Sequence, residues 1–383
     1  MAKSFLKAAV YVLAFAASLL LPAQAQGIPV NLTRTPNGGI QPDAAVDAKG
    51  VTHLIYFIGD PMHGDLFYVT WPSGKNAPPS KPIKVNSIAG GAVAMGTIRP
   101  AQLALDDSGM PHIVWNASGN APKTANGHIP LFYTHLDKTR TKFEPERDLI
   151  AGAQMLDGGS SVAANGKNVY VTWHAVGKGS DEAHAGVYIS TSIDGGGKFA
   201  AERQIGPALG ACGCCSMKAF ADKSGAVYVL YRTAKNNTDR HCELLVSRDR
   251  GKTFASKDLD AWEVNACPMT TFSIASGPAG IIGGWQNKGQ IKVAAISKNG
   301  PAFQFPAPAT EPRKYPSVSC DKEGNTLAVW TTGAGWGRGG ALVWQVFDKN
   351  GKPRAEHGGS PGVPTWSFTA AVPNQGNGFT IIY

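Results

Sequence analysis

Residues 216–231 read SMKAFADKSGAVYVLY, and residues 242–254 read CELLVSRDRGKTF. In both, apolar residues alternate with polar ones, β-branched and aromatic residues are frequent, and Asp, Ser and Gly interrupt the run. That is the pattern of two antiparallel hairpins, each turning at its glycine. The first unit occurs seven times, at 42–56, 100–115, 160–173, 216–231, 270–285, 316–330 and 367–383, and every copy ends in Tyr or Trp. A second hairpin follows six of them, beginning at Asp65, Pro130, Gly186, Cys242, Ile291 and Leu342. Four short strands recurring at a period of about 50 residues predict an all-β fold, a β-propeller of four-stranded antiparallel blades. Seven blades are expected, with a strand around Ile28 to Thr33 completing the blade that begins at Ser367. Six blades plus a closing pair is the rival count.

Composition points the same way. Gly (46) and Pro (26) are abundant among the 383 residues and only 16% are charged, which excludes a helical bundle or coiled coil. A hydrophobic fraction of 43% excludes a disordered chain. Residues 1–26 carry Lys3 and Lys7, the apolar run Ala8 to Leu21 and the small-residue site Ala23-Gln24-Ala25, the layout of a secretory signal peptide. A periplasmic or secreted protein is therefore expected, with 27–383 forming one propeller domain. No later stretch is long and apolar enough to span a membrane as a helix. Removing the two lysines of the leader lowers the net charge from +9 to +7, spread without a Lys/Arg block. This favours a small anionic ligand, and no nucleic-acid motif is present.

Two of the second hairpins share a tighter motif. Ser247, Asp249, Gly251, Thr253 and Phe254 fit S-x-D-x-G-x-T-F throughout, and Ser192, Asp194, Gly196 and Phe199 fit it with Lys198 in place of Thr. Ser297-Lys-Asn299-Gly300 and Asp348-Lys-Asn350-Gly351 are decayed copies. The motif resembles the Asp-box (bacterial neuraminidase repeat) of sialidase-like propellers. Ser and Asp oxygens can satisfy turn amides, Gly supplies a positive φ, and the aromatic pins the turn to the blade. The resemblance implies that these turns are structural and lie on the face opposite the ligand site.

That orientation puts the turns leading into each innermost strand, and the ends of the second strands, around one channel mouth. Arg99, Asp157, His174, Arg232 and Tyr315 are the candidate ligand residues there, for a small-molecule, glycan or anionic ligand. Arg232 resembles a sialidase clamp arginine, Tyr315-Pro316-Ser317 resembles the context of its tyrosine nucleophile, and Arg99-Pro100 echoes a further arginine element. The departures weigh more. Where the family places a glutamate before the strand leading to its clamp arginine, this chain has Cys214-Cys215-Ser216, and no acid/base aspartate is assignable. A tyrosine without a carboxylate partner stays protonated near neutral pH. Standard sialidase catalysis is not expected, although an exo-sialidase-type hydrolase stays open as an alternative.

Six cysteines occur, at 212, 214, 215, 242, 267 and 320. In an exported chain an even count predicts disulfides, and Cys214 or Cys215 with Cys267 is the natural inter-blade pair. Cys320 stands apart as a buried thiol. The alternative is a soft-metal site for copper or zinc, built from Cys212, Cys214, Cys215, Cys267 and Met269, with Met217, His174 and His241 as further ligands. Two readings of function follow: a propeller binding an anionic or glycan ligand at the mouth, or a metal- or redox-linked propeller centred on these thiols.

Overall fold

The computed structural model describes residues 27–72, 77–124, 127–152, 158–176, 182–278, 280–297, 303, 305 and 311–383. Seven sheets stand around a central channel. Their innermost strands, in blades 1 to 7, are Ile40–Val46, Gln102–Leu105, Ser160–Asn165, Lys218–Ala221, Ser273–Gly277, Arg313–Cys320 and Ala370–Pro373. Five sheets have four strands and those of blades 5 and 7 have three among the described residues, where helix is limited to two short 3-10 turns. The seven-blade count holds, and the signal-peptide reading of 1–26 lies outside the described residues.

The termini close the ring as expected, with one difference. Val30–Thr33 completes blade 7, but it pairs parallel to Phe379–Ile382, not antiparallel. The chain direction requires it. Phe379–Ile382 runs toward the mouth, and the terminal strand must also end there to feed Ile40, where blade 1 begins. The join is fixed by bonds from Thr35 N to Tyr383 O and from Tyr383 N to Thr33 O, both 3.0 Å, with Arg34 stacked 3.9 Å from the Tyr383 ring centre.

The opposite face is built from turns that satisfy themselves. In the first hairpins Asp47, Asp106 and Asp222 each accept amides two and four residues ahead, at 2.8–3.0 Å. Gly225, at φ 84°, shows why the fourth turn residue is glycine: the left-handed backbone is strained for any residue with a Cβ. In the second hairpin of blade 4, Ser247 Oγ donates to Asp249 (2.7 Å) and accepts from Gly251 N (2.8 Å), while Thr253 N donates to Asp249 (2.9 Å). Ser192, Asp194, Gly196 and Lys198 repeat these bonds in blade 3. Lys198 cannot repeat the bond from the Thr253 hydroxyl to Asp249. Asp348, read as a decayed copy, instead accepts Asn350 N and Lys352 N at 2.9 Å, the simpler turn of the first hairpins.

These turns also lock neighbouring blades together. Arg147 of blade 2 donates to the carbonyls of Gly196 and Gly197 in blade 3, and Arg203 of blade 3 donates to those of Gly251 and Lys252 in blade 4. Phe199 packs edge-on against Tyr133 of blade 2 at 4.7 Å. The aromatic therefore pins the turn to the preceding blade as well as to its own. Buried strand faces then fill the wedges between blades, with Trp115, Trp173, Tyr133 and Tyr170 nearly inaccessible.

Candidate functional site at the channel mouth

The lead-in turns of the innermost strands share an unusual backbone. Gln41, Thr97, Met269, Tyr315 and Trp366, in blades 1, 2, 5, 6 and 7, all have φ between 49° and 62°. Non-glycine residues in this region cost about 1–3 kcal/mol each, and such strain concentrates where structure serves a ligand. Here the bonds that hold the strained residues join different blades. Gln41 Nε2 donates to Ala94 O (2.6 Å) and Trp366 O (2.8 Å). Thr97 Oγ1 donates to the Tyr315 hydroxyl at 3.0 Å, from blade 2 to blade 6, the largest separation a seven-membered ring allows. Lower in the channel, Lys218 of blade 4 reaches Asp43 of blade 1 at 3.0 Å. The innermost strands of all seven blades line a central cavity of 330 Å³.

On one side of the mouth stands the lead-in of blade 4. Cys215 N donates to Cys212 O (3.3 Å), closing a tight turn, and Cys212 N donates to Arg232 O (2.9 Å). The turn gathers three buried sulfurs: Cys212 Sγ is 3.2 Å from Cys214 Sγ and 3.6 Å from Cys215 Sγ, and all three lie within 4.8 Å of one another. Sharing of hydrogens with Cys212 and Cys215, then burial, pushes the Cys214 thiol far up. Burial opposes ionisation of Cys215 too, but hydrogen bonds from Cys212 and Cys214 and the charge of Arg232 pull it well below the usual thiol range. Lys314 Nζ donates to Pro268 O at 3.2 Å, and burial holds its pKa down.

On the other side stand two tryptophans. Reciprocal bonds between Gly335 and Arg338 (3.1 and 3.2 Å) form a tight turn with Trp336-Gly337 at its tip. Trp336 is 63% exposed and meets Trp366 edge-to-face at 4.8 Å. A Cβ on Gly96 would stand 3.1 Å from the Trp336 ring, so the indole lies against the segment that carries Thr97.

No protein-family model matches the chain, and no curated protein matches it in sequence. Solved structures do. A Hadza microbial sialidase superposes with a TM-score of 0.50 at 12% identity, over 82% of this chain and 69% of that one. The Trypanosoma rangeli sialidase in complex with the inhibitor DANA gives 0.52 at 10% identity, over 80% of this chain and 56% of that one. At such identities the likeness is one of architecture. The fold is sialidase-like.

In this sialidase-like propeller the expected site residues separate. Asp157 lies outside the described residues. Arg99 is half-buried in the blade 2 lead-in. His174 is buried against Gly158, whose Cβ would fall 2.1 Å from its Nδ1, and meets Tyr231 edge-on. Arg232 has another task than clamping a carboxylate. It is fully buried, donates to Arg240 O and Gln286 O at 2.5 Å, and stacks on Trp262 and Phe272. Tyr315 is 3% exposed, its hydroxyl meets Thr97, and burial pushes its pKa up, so it stays protonated.

The thiol expectations divide as well. No two sulfurs stand at bonding distance, and Cys267 is exposed while Cys215 is wholly buried, so the Cys214/Cys215–Cys267 disulfide is not formed. The tight 212–215 turn folds its sulfurs onto one another and leaves Cys267 outside. Cys267 is not among the gathered ligand atoms, and Met269 packs only at the edge of the same apolar cluster. His241 bonds Asp258 at 2.7 Å instead. Cys320 is a buried thiol, as expected. Sequence reading missed Trp336, Trp366, Thr97 and Lys314. The Gly-Trp-Gly at 335–337 was the available signal, since a large aromatic at a turn tip has no core to fill.

Proposed function

We propose that this is an exported sialidase-like propeller that binds a glycan at the channel mouth without sialidase chemistry. The observation that carries the reading is the Trp336–Trp366 pair. A two-residue turn and a strained lead-in hold both indoles, and one is largely exposed beside the channel. An exposed indole gains by covering the apolar face of a sugar ring, and little ordering entropy is lost because the backbone is already fixed. The exposed Arg338 directly follows the turn tip and, with the positive net charge, favours an acidic sugar. Protonated Tyr315, bonded to Thr97, and carbonyl-bound Arg232 support binding over hydrolysis.

The test is calorimetry with sialyllactose and lactose, together with a fluorogenic sialoside assay. Trp336→Ala is expected to weaken binding at least tenfold, about 1.4 kcal/mol. The acidic sugar should bind better than the neutral one, and the sialoside should stay uncleaved. Binding unchanged in Trp336→Ala removes the platform, and turnover that vanishes in Arg232→Ala removes the non-enzymatic reading.

A further inference from the structure

The three gathered cysteines have no part in glycan binding, and their surroundings are those of a built site. Three buried thiols have only weak hydrogen bonds to offer one another, yet the 212–215 turn turns all three inward. Arg232 lies beside them, its carbonyl accepting Cys212 N at 2.9 Å. Arg232 is fixed by its two carbonyl bonds, so its charge cannot swing away to solvent. The turn is anchored on both sides, by Cys212 N to Arg232 O and by Ser216 N to Thr270 O at 3.1 Å. Metal binding takes the thiolate form, which a fixed cation beside the cluster favours.

We propose that Cys212, Cys214 and Cys215 form a three-sulfur site for a soft monovalent metal ion, copper(I). Three sulfurs around one ion at about 2.3 Å stand about 4 Å apart. The gaps of 3.2 and 3.6 Å, with the third within 4.8 Å, lie near that spacing. Thiolate ligands select copper(I) or zinc, and structural zinc takes four protein ligands in a closed tetrahedron. Among the described residues no fourth His, Cys, Asp or Glu atom joins the three. Cys214, at 8% exposure, is the least buried of the three, and it offers the ion a way in. Binding replaces the thiol protons, which leave to solvent, and involves no change of oxidation state.

The experiment is anaerobic titration of the reduced full-length protein with copper(I) against a chromogenic chelator, with X-ray absorption on the loaded protein. One equivalent is expected to bind, with a shell of three sulfurs. Cys214→Ser and Cys215→Ser should each lose at least a hundredfold in affinity, and Cys320→Ser, a buried thiol outside the cluster, should lose none. Should Cys215→Ser fail to fold, Cys214→Ser at the least buried of the three and the wild-type absorption spectrum still decide the matter. Affinity unchanged in Cys214→Ser, a shell with fewer than three sulfurs, or displacement of copper(I) by equimolar zinc would overturn the assignment. So would a Cys212 disulfide, inert to copper(I), in protein isolated from the export compartment. None of these outcomes touches the tryptophan platform, so glycan binding and metal binding stand or fall separately.

Discussion

The two ends of the channel are held by bonds of different range. On the turn face, Ser247 bonds Asp249 and Gly251, and Asp222 bonds Ser224 and Ala226, all within four residues. At the mouth, Gln41 reaches Ala94 and Trp366 across 53 and 325 residues, and Thr97 reaches Tyr315 across 218. The turn face is thus mostly repeated local chemistry, with Arg147 and Arg203 as its ties between blades, while the mouth exists only once the ring has closed. A first-hairpin turn can vary with little effect beyond its blade, but a change at the mouth is felt by several blades together.

Paired glycine substitutions test that contrast most strongly. A Cβ on Gly159 would stand 2.7 Å from Ile98 O and 3.1 Å from Ser216 Cα, backbone atoms of two other lead-ins that cannot yield singly. Gly159→Ala is expected to cost about 3 kcal/mol in chemical denaturation. Gly225→Ala, with nothing nearer than 3.5 Å, should cost only the left-handed backbone strain, about 1–2 kcal/mol. Equal losses would show that the mouth is no more tightly coupled than the turns.

Tyr315→Phe comes next. It removes the hydroxyl that Thr97 meets, and leaves the single hydrogen of Thr97 Oγ1 to Gly96 O, 2.6 Å away. A loss of about 1 kcal/mol is expected, with glycan binding retained. A much larger loss would make this single bond the keystone of the mouth.

The smallest effect belongs to the turn face and is visible through pH. Burial raises the Asp106 pKa, but His112, Ser108 and the Met110 amide outweigh it and bring it to about 2. Because the folded pKa lies below the unfolded value near 4, the carboxylate stabilises the fold above about pH 4. That contribution fades as pH falls toward 2. Asp106→Asn should therefore lie slightly below wild type in stability at pH 6 and converge with it near pH 2, as followed by urea midpoints. A difference that persists at pH 2 would assign the effect to lost packing and not to charge.

The same contrast explains what could be read from sequence. The turn residues Asp47, Gly50, Asp222, Gly225, Ser247 and Asp249 announce themselves because partner and position lie in one short string. The blade count followed from seven copies ending in Tyr or Trp. Arg232 and Tyr315 were placed correctly along the chain but misread in role. Arg232 turned inward to carbonyls at 240 and 286, and Tyr315 met a threonine 218 residues away. Cys212, Cys214 and Cys215 were legible as a group because one turn contains them. Cys267 was not separable from them until the fold left it on the surface.

By itself, then, the sequence determined the strands, their turns and the ring, because each depends on residues adjacent in the chain or on a repeated pattern. Only the tertiary structure decided the parallel closing strand, the crossing bonds of the mouth, the exposure of Trp336 and the direction each cysteine faces. Those depend on where seven lead-ins meet when the ring closes, and no local pattern of side chains encodes a meeting of segments hundreds of residues apart.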